Sequence, residues 1–226
     1  NNPNFNNTGN AVFTALDLSS TDMKDSSGYE SSKTGFSLGT EFEQYENIYF
    51  SPEIVIVHED IEVEDSAAAS LKKMDGTFSN IDFHYGIIND KRNQPFQPTS
   101  GYIGKFSQSL PILQDSSSLL NGIDLSAYRA VTEDVIGSAK FFVRSIHGID
   151  DDVRLTSRLY IPQTRLRGFN TARVGPKDGG DYVGGNYVTA LGLEAQLPNL
   201  LPESTRTDIS LFIDTGNVWS VDYSDS

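Results

Sequence analysis

The stretch "KTGFSLGTEFE" (residues 33–43) alternates between two kinds of side chain. One parity carries Phe36, Leu38, Thr40 and Phe42, and the other carries only charged, polar or very small side chains. Successive side chains of a β-strand point to opposite faces, whereas a helix repeats about every 3.6 residues. The pattern therefore predicts a strand with one apolar and one polar face.

The same alternation recurs along the chain. It is clear in "NIYFSPEIVIVHED" (47–60) and "SNIDFHYGIIND" (79–90), whereas helical periodicity is almost absent. Clusters of Gly, Ser, Asn and Asp separate these runs, as turns separate strands. We predict an all-β, antiparallel fold of about nine strands, or ten with a short strand near 155–161. The further candidate strands are 10–20, 101–110, 121–132, 136–148, 186–197 and 207–219.

Length and composition narrow the class of protein. A chain of 226 residues suits one large all-β domain. Its 17 basic and 31 acidic residues give a net charge of −14, which repels nucleic acid, so no nucleic-acid partner is expected. The absence of Cys excludes disulfides and thiolate catalysis. No segment approaches the roughly 18 uninterrupted apolar residues of a membrane helix, although the strands of a membrane barrel escape such a search.

The connections between the candidate strands alternate in length. Tight ones, at 44–47 and about 89–100, alternate with long acidic or Ser-rich ones such as "STDMKDSSGYES" (20–31) and "EVEDSAAASLKKMDG" (62–76). Short turns on one side and long loops on the other are typical of an outer-membrane β-barrel. A soluble β-sandwich also shows alternation and long loops, so the pattern alone leaves both architectures open.

The motifs that could indicate an enzyme are weak. "GFSLG" (35–39) matches the Gly-x-Ser-x-Gly nucleophile elbow, but Ser37 falls inside the most regular predicted strand, where the strained turn of an elbow is not expected. His58, His84 and His147 are far apart and lack the spacing of metal ligands. We expect no catalytic residues, no metal and no cofactor, and therefore no enzyme.

The segment "TRLRGFNTARVGP" (164–176) carries three of the chain's arginines, and Arg167 stands directly before a glycine and an aromatic residue. Each of the two strands predicted after it carries an acid, Glu194 or Asp214, on the face opposite the apolar one. A carboxylate that faces lipid is costly, so both acids are expected to point into the interior of a barrel.

An arginine fork can bind carboxylates through two parallel hydrogen bonds and keeps its charge in a partly dry interior, so Arg167 is a suitable partner for Glu194 and Asp214. The hypothesis implies a register: a turn centred near Ser204 would place the two acids opposite each other. The alternative is that the acids line a hydrated lumen and Arg167 lies in solvent.

Several ordered motifs resemble those of the Omp85 superfamily of outer-membrane barrels, and within it the branch of assembly factors. "LRGF" (Leu166, Arg167, Gly168 and Phe169), with "GPK" beginning six residues after Phe169, resembles the arginine motif of the sixth extracellular loop. The motifs that resemble the surrounding barrel are "GGN" (184–186), "FIDTGNVW" (212–219), "NDKRNQPFQPTSG" (89–101) and "NNPNF" (1–5).

The resemblance implies a transmembrane barrel of 16 strands, of which residues 1–226 would supply roughly 9–10. It also implies that loop 6 folds into the lumen, with Arg167 held by Glu194 and Asp214. The POTRA domains, the first strands and the closing strands of the family would lie outside this chain. The chain would then be part of a C-terminal barrel domain in the outer membrane of a bacterium.

Two functions are consistent with this resemblance. The first is an ATP-independent factor that folds and inserts β-barrel proteins, with unfolded barrel clients, accessory lipoproteins of the assembly complex and outer-membrane lipid as partners. The second is a secretion or translocation pore of the same superfamily, in which loop 6 plugs the channel. A hydrolase that uses Ser37 is a third, remote alternative.

Overall fold

The computed structural model describes most of the chain. The described residues are 4–5, 8–22, 28–65, 72, 75–114, 117–150, 152–170, 172–178, 181–198, 200–201 and 207–222. Part of "NNPNF" and the predicted turn near Ser204 lie outside these ranges, as do parts of the long loops at 20–31 and 62–76. No helix among the described residues is long and apolar enough to cross a membrane.

Eleven strands form the described structure. Nine of them make one antiparallel sheet in the order β1-β2-β3-β4-β5-β6-β7-β10-β11, and β8 pairs with β9 in a separate ribbon. The all-β, antiparallel prediction is therefore confirmed. The strands are β1 (Ala11–Asp22), β2 (Tyr29–Tyr45), β3 (Ile48–Val63), β4 (Gly76–Asp90), β5 (Ser100–Gln114), β6 (Ser118–Thr132), β7 (Val135–Gly148), β8 (Lys177–Asp178), β9 (Asp181–Tyr182), β10 (Tyr187–Leu197) and β11 (Ile209–Trp219).

The predicted short strand near 155–161 is wrong. Leu155–Ser157 is a 3-10 turn, closed by bonds from the N–H of Ser157 to the carbonyl of Arg154 and from that of Arg158 to the carbonyl of Leu155. Only Leu159 makes a β-bridge, to Gly185. The backbone satisfies its hydrogen bonds locally here, and the turn buries the side chain of Leu155.

The strand register places the apolar side chains on one continuous face. Phe36 stands opposite Ile56, and Leu38 opposite Ile54, as the alternation predicts. The large apolar side chains exposed on this outer face include Leu16, Leu18, Phe36, Leu38, Ile54, Ile56, Ile87, Ile123, Leu125, Phe141, Leu191, Leu193, Leu211 and Ile213. Such an area of exposed apolar surface is a liability in water and suits contact with lipid.

The connections follow the predicted arrangement in part, since the connection between β5 and β6, at the end where long loops are predicted, spans only residues 115–117. Two-residue turns join β2 to β3 and β6 to β7, and Asn47 in the first adopts a positive φ of 63°. The long segment 149–186 follows β7 at the opposite end of the strands, and we refer to it as loop 6.

Loop 6 folds onto the inner face of the sheet and buries two apolar clusters there. In the first, Ile161 and Leu166 of the loop pack with wall residues; its wall members are Phe142, Val188, Ala190 and Val218. In the second, Leu155 and Val183 of the loop contact Tyr29 and Val63 near the ends of β2 and β3. The loop therefore connects β2 and β3 with β7, β10 and β11 across the inner face of the sheet.

Because neighbouring residues of β3 point to opposite faces, the same substitution should have unequal effects on stability at Ile54 and Val55. In the full-length protein, Ile54→Arg places a charge on the apolar outer face and should lower the free energy of unfolding in a lipid bilayer by about 2–4 kcal/mol. Val55→Arg, one residue along the same strand, points to the inner face and should cost much less. Denaturant titration of the reconstituted protein measures both values, and equal losses would contradict the assigned faces.

Candidate functional site

The segment Leu166 to Phe169 lies against the inner face of β10 and β11. Leu166 is only 6% exposed and anchors the segment in the first apolar cluster. Gly168 has a φ of 84°, a backbone conformation that residues with a side chain rarely adopt. Phe169 is exposed. The buried leucine fixes the backbone on one side of Arg167, and the glycine lets the chain turn away on the other.

Arg167 binds Asp214 through three hydrogen bonds. Its Nε donates to Oδ2 at 2.7 Å, its Nη2 donates to Oδ1 at 2.8 Å, and its backbone N–H donates to Oδ2 at 3.0 Å. The Asp214 side chain is 4% exposed. Two parallel guanidinium bonds to one carboxylate are a strong and directional contact, and the backbone bond holds the loop itself as well as its side chain.

Glu194 is the second carboxylate of the site. Nη1 of Arg167 donates to its Oε2 at 3.1 Å, and Nζ of Lys140, on β7, lies 3.4 Å from the same oxygen. Glu194 therefore pairs with one cation from the loop and one from the neighbouring strand. The hydrogen bonds that Arg167 donates to Asp214 raise the pKa of the guanidinium above its ordinary value. An arginine side chain is not deprotonated in proteins, so the charge of Arg167 is permanent.

Phe212 completes the site and had no role in the sequence-based hypothesis. The guanidinium carbon of Arg167 lies 3.6 Å from the centre of its ring, which is a close cation–π contact. Phe212 lies two residues before Asp214 in β11, so strand parity puts both side chains on the inner face. Its use as a stacking surface depends on where the loop crosses β11, and no spacing along the chain reveals that.

The predicted register between the two acids is wrong. Glu194 is opposite Phe212, and Asp214 is opposite Gly192, so the acids are diagonal neighbours on the same face. Carboxylates directly opposite each other would repel, whereas the observed offset lets the guanidinium lie between them. A Cβ on Gly192 would lie 2.9 Å from Oδ1 of Asp214, so the glycine provides the space for that carboxylate.

The other candidate residues of the sequence, Ser37 and the histidines, do not form a catalytic or metal-binding arrangement among the described residues. Ser37 lies within β2, which continues through a two-residue turn into β3, and this is not the geometry of a nucleophile elbow. Nδ1 of His58 contacts Ser79, and Nε2 of His147 contacts Tyr187. Among the described residues no group of His, Asp and Glu could hold a metal ion.

The "GGN" motif closes loop 6 against the end of β11. A Cβ on Gly185 would lie 2.5 Å from the carbonyl oxygen of Trp219, so the approach requires glycine. Asn186 donates from Nδ2 to Oδ1 of Asp222 at 2.6 Å, and the other oxygen of Asp222 accepts the backbone N–H of Val153 at 2.9 Å. The two ends of the loop are thus joined through one carboxylate.

The turn between β4 and β5 contains an ion pair of Arg92 with Asp90, at the end of the strands opposite to loop 6. Arg92 donates from Nε and Nη2 to the two oxygens of Asp90 at 2.8 and 2.6 Å, and from Nη1 to the carbonyl of Pro95 at 3.0 Å. These bonds raise the pKa of Arg92 above its ordinary value. The pair braces a turn whose tip carries the exposed Phe96.

An antiparallel sheet with an apolar outer face, a polar inner face and a loop fastened inside by a half-buried arginine defines an outer-membrane type of β-barrel wall. The family model described as the Omp85 superfamily domain matches residues 1–226. The chain belongs to the Omp85 superfamily.

Known proteins similar to this chain come from both bacteria and animals. The human protein named sorting and assembly machinery component 50 homolog is 27% identical over 171 residues, which are 70% of this chain and 36% of that protein. The outer membrane protein assembly factor BamA of Neorickettsia risticii (strain Illinois) is 24% identical over 170 residues, 71% of this chain and 22% of that protein. The chain therefore spans about a third or less of the length of these relatives.

The fold is also similar to a solved structure. The crystal structure of BamA from Haemophilus ducreyi lacking POTRA domains 1–3 matches with a TM-score of 0.81 at 18% sequence identity. The match covers 96% of this chain and 48% of that chain, so this chain has the fold of about half of the solved one.

The unequal bonding of the two acids predicts unequal effects of their removal. Asp214→Asn weakens three contacts to Arg167, and hydrogen bonds to charged groups contribute about 1.5–3 kcal/mol each, so loop 6 should open far more readily. Glu194→Gln weakens one contact to Arg167 and should have a smaller effect. Amide hydrogen exchange of residues 155–185 in the reconstituted protein measures this opening. Equal exchange in the two variants would contradict the assignment of Asp214 as the main acceptor.

Proposed function

We propose that this chain is part of a factor that folds β-barrel proteins and inserts them into the bacterial outer membrane. The observation that carries the proposal is the contact of Arg167 with Asp214 and Glu194, which fastens loop 6 inside the barrel wall. Membership of the Omp85 superfamily and the names of the relatives support it. The relatives include animal proteins, so the bacterial location is part of the proposal.

Residues 1–226 are, in this proposal, the middle part of a 16-stranded barrel, with POTRA domains, first strands and closing strands supplied by other parts of the protein. The nine-stranded sheet and the coverage of 48% of the solved chain support this arrangement. The seam at which such a barrel would open to the membrane then lies outside the described strands, and the loop 6 contact acts on it through the wall.

The chemistry of this function is non-covalent. A client strand pairs with an exposed strand edge by backbone hydrogen bonds, and its own folding supplies the free energy, so no nucleotide is needed. The role of Arg167 is to keep loop 6 against β10 and β11, so that the wall keeps its shape while the seam moves. Two carboxylates and an aromatic face on adjacent strands suit this role because they hold a charged side chain in a fixed orientation.

The partners follow from this assignment. They are unfolded outer-membrane β-barrel clients, accessory lipoproteins of an assembly complex, and outer-membrane lipid against the apolar outer face. The net charge of −14 argues against nucleic acid as a partner.

A client-folding assay tests the proposal. The full-length protein is reconstituted in liposomes, and the folding of a urea-unfolded outer-membrane barrel client is followed in comparison with empty liposomes. We expect faster folding with the wild type and a rate close to that of empty liposomes with Arg167→Ala, because loop 6 is then no longer fixed to β10 and β11. Arg173→Ala is the matched control, since Arg173 is an exposed arginine of the same loop, and it should keep the wild-type rate.

Both arginine variants are compared only after their own barrels are shown to be folded. Liposomes that contain the wild type and conduct ions without accelerating client folding would contradict the proposal and indicate a secretion pore of the same superfamily. Normal client folding with Arg167→Ala would instead contradict the role given to the arginine contact.

A further inference from the structure

A second group of charged side chains lies beside loop 6, on a different part of the wall. Asp124 of β6 accepts a hydrogen bond from Nη2 of Arg144, on β7, through Oδ2. Its Oδ1 accepts a bond of 2.5 Å from Nη2 of Arg165, which belongs to loop 6. The Asp124 side chain is 18% exposed. One carboxylate therefore joins two neighbouring wall strands to the loop.

The ring of Phe142 lies against both arginines of this group. The guanidinium carbon of Arg144 is 4.5 Å from the ring centre, and that of Arg165 is 5.4 Å from it. Phe142 is 6% exposed and is also a member of the first apolar cluster under loop 6. The contact of Arg165 with Asp124 is therefore formed beside a buried surface, where a charge-assisted bond is less screened by water.

Arg144 is positioned by the wall independently of the loop. Its Nη1 donates to the backbone carbonyls of Ile123 and Val143 at 3.2 and 2.9 Å. A Cβ on Gly122 would lie 2.7 Å from Cδ of Arg144, so the glycine leaves the space in which the arginine lies. With Arg144 fixed in this way, Asp124 is oriented by the wall, and one of its oxygens is directed to Arg165.

We propose that Asp124 is a second anchor for loop 6, and that Arg165 is a positioning residue which holds the loop to β6 while Arg167 holds it to β10 and β11. The two arginines are two residues apart in the loop, yet their carboxylates lie on β6 and β11, which are separated by β7 and β10 in the sheet. The arginine segment of loop 6 therefore ties together four neighbouring strands of the wall.

Two anchors on one short segment make the release of the loop cooperative. While one arginine is bound, the other stays near its carboxylate and can bind again, so breaking one contact displaces the loop less than breaking both. Breaking both contacts removes this mutual support, and the combined effect should exceed the sum of the two. Any consequence for barrel assembly rests on the proposed function, whereas the position of the loop does not.

Distance measurements between spin labels test the second anchor directly. The described chain contains no cysteine, so Gln163→Cys in loop 6 and Glu133→Cys in the turn between β6 and β7 provide two exposed labelling sites, one on the loop and one on the wall. In the full-length reconstituted protein, the distance distribution between them should be narrow. Arg165→Gln should broaden it, Arg165→Lys should broaden it less, and Arg173→Gln should leave it unchanged.

The combination with the first anchor completes the test. Arg165→Gln together with Arg167→Gln should broaden the distribution by more than the sum of the single variants, and Asp124→Asn should reproduce the effect of Arg165→Gln. The proposal is overturned if Arg165→Gln and Asp124→Asn both give the same narrow distribution as Arg173→Gln. It is also overturned if the effects of the two arginines simply add. Because no client is present, these outcomes are independent of the client-folding assay.

Discussion

The arrangement of loop 6 depends on the contacts of the Arg167 guanidinium. Its Nε, Nη1 and Nη2 donate hydrogen bonds to two carboxylates, and the group lies over the ring of Phe212. The backbone N–H of Arg167 donates a further bond to Asp214. A charged side chain in a partly dry interior is tolerated only when its hydrogen bonds are satisfied, so the site must form as a unit. Once it forms, Leu166 is positioned in the apolar cluster beside it.

The apolar core of this chain lies between the loop and the wall. A single sheet has no second layer of its own, and one face of this sheet is apolar and exposed. The buried apolar residues Ile161, Leu166, Phe142, Val188 and Val218 are found where loop 6 covers the other face. The loop therefore serves as the packing layer of the inner wall, which explains why polar contacts at several points fasten it.

Much of the wall could be predicted from the sequence, but the contacts across it could not. Strand alternation identified the faces of β2, β3, β4, β10 and β11, because side-chain direction in a strand is set by parity alone. The predicted register that placed Glu194 opposite Asp214 was wrong, because the register of two strands depends on the length and shape of the turn between them. The 3-10 turn at Leu155–Ser157 was missed because the burial of a single side chain, Leu155, leaves no periodic signal.

By itself the sequence determined the all-β class, the apolar and polar faces, the inward direction of both acids and the arginine motif that marks the family, because each of these depends on local spacing or residue type. Only the tertiary structure decided that Phe212 lies under Arg167, that Gly192 makes room for Asp214, and that Asp124 receives Arg165. These contacts join residues far apart in the chain, and their geometry follows from where a long loop crosses the sheet, a path that short-range patterns do not encode.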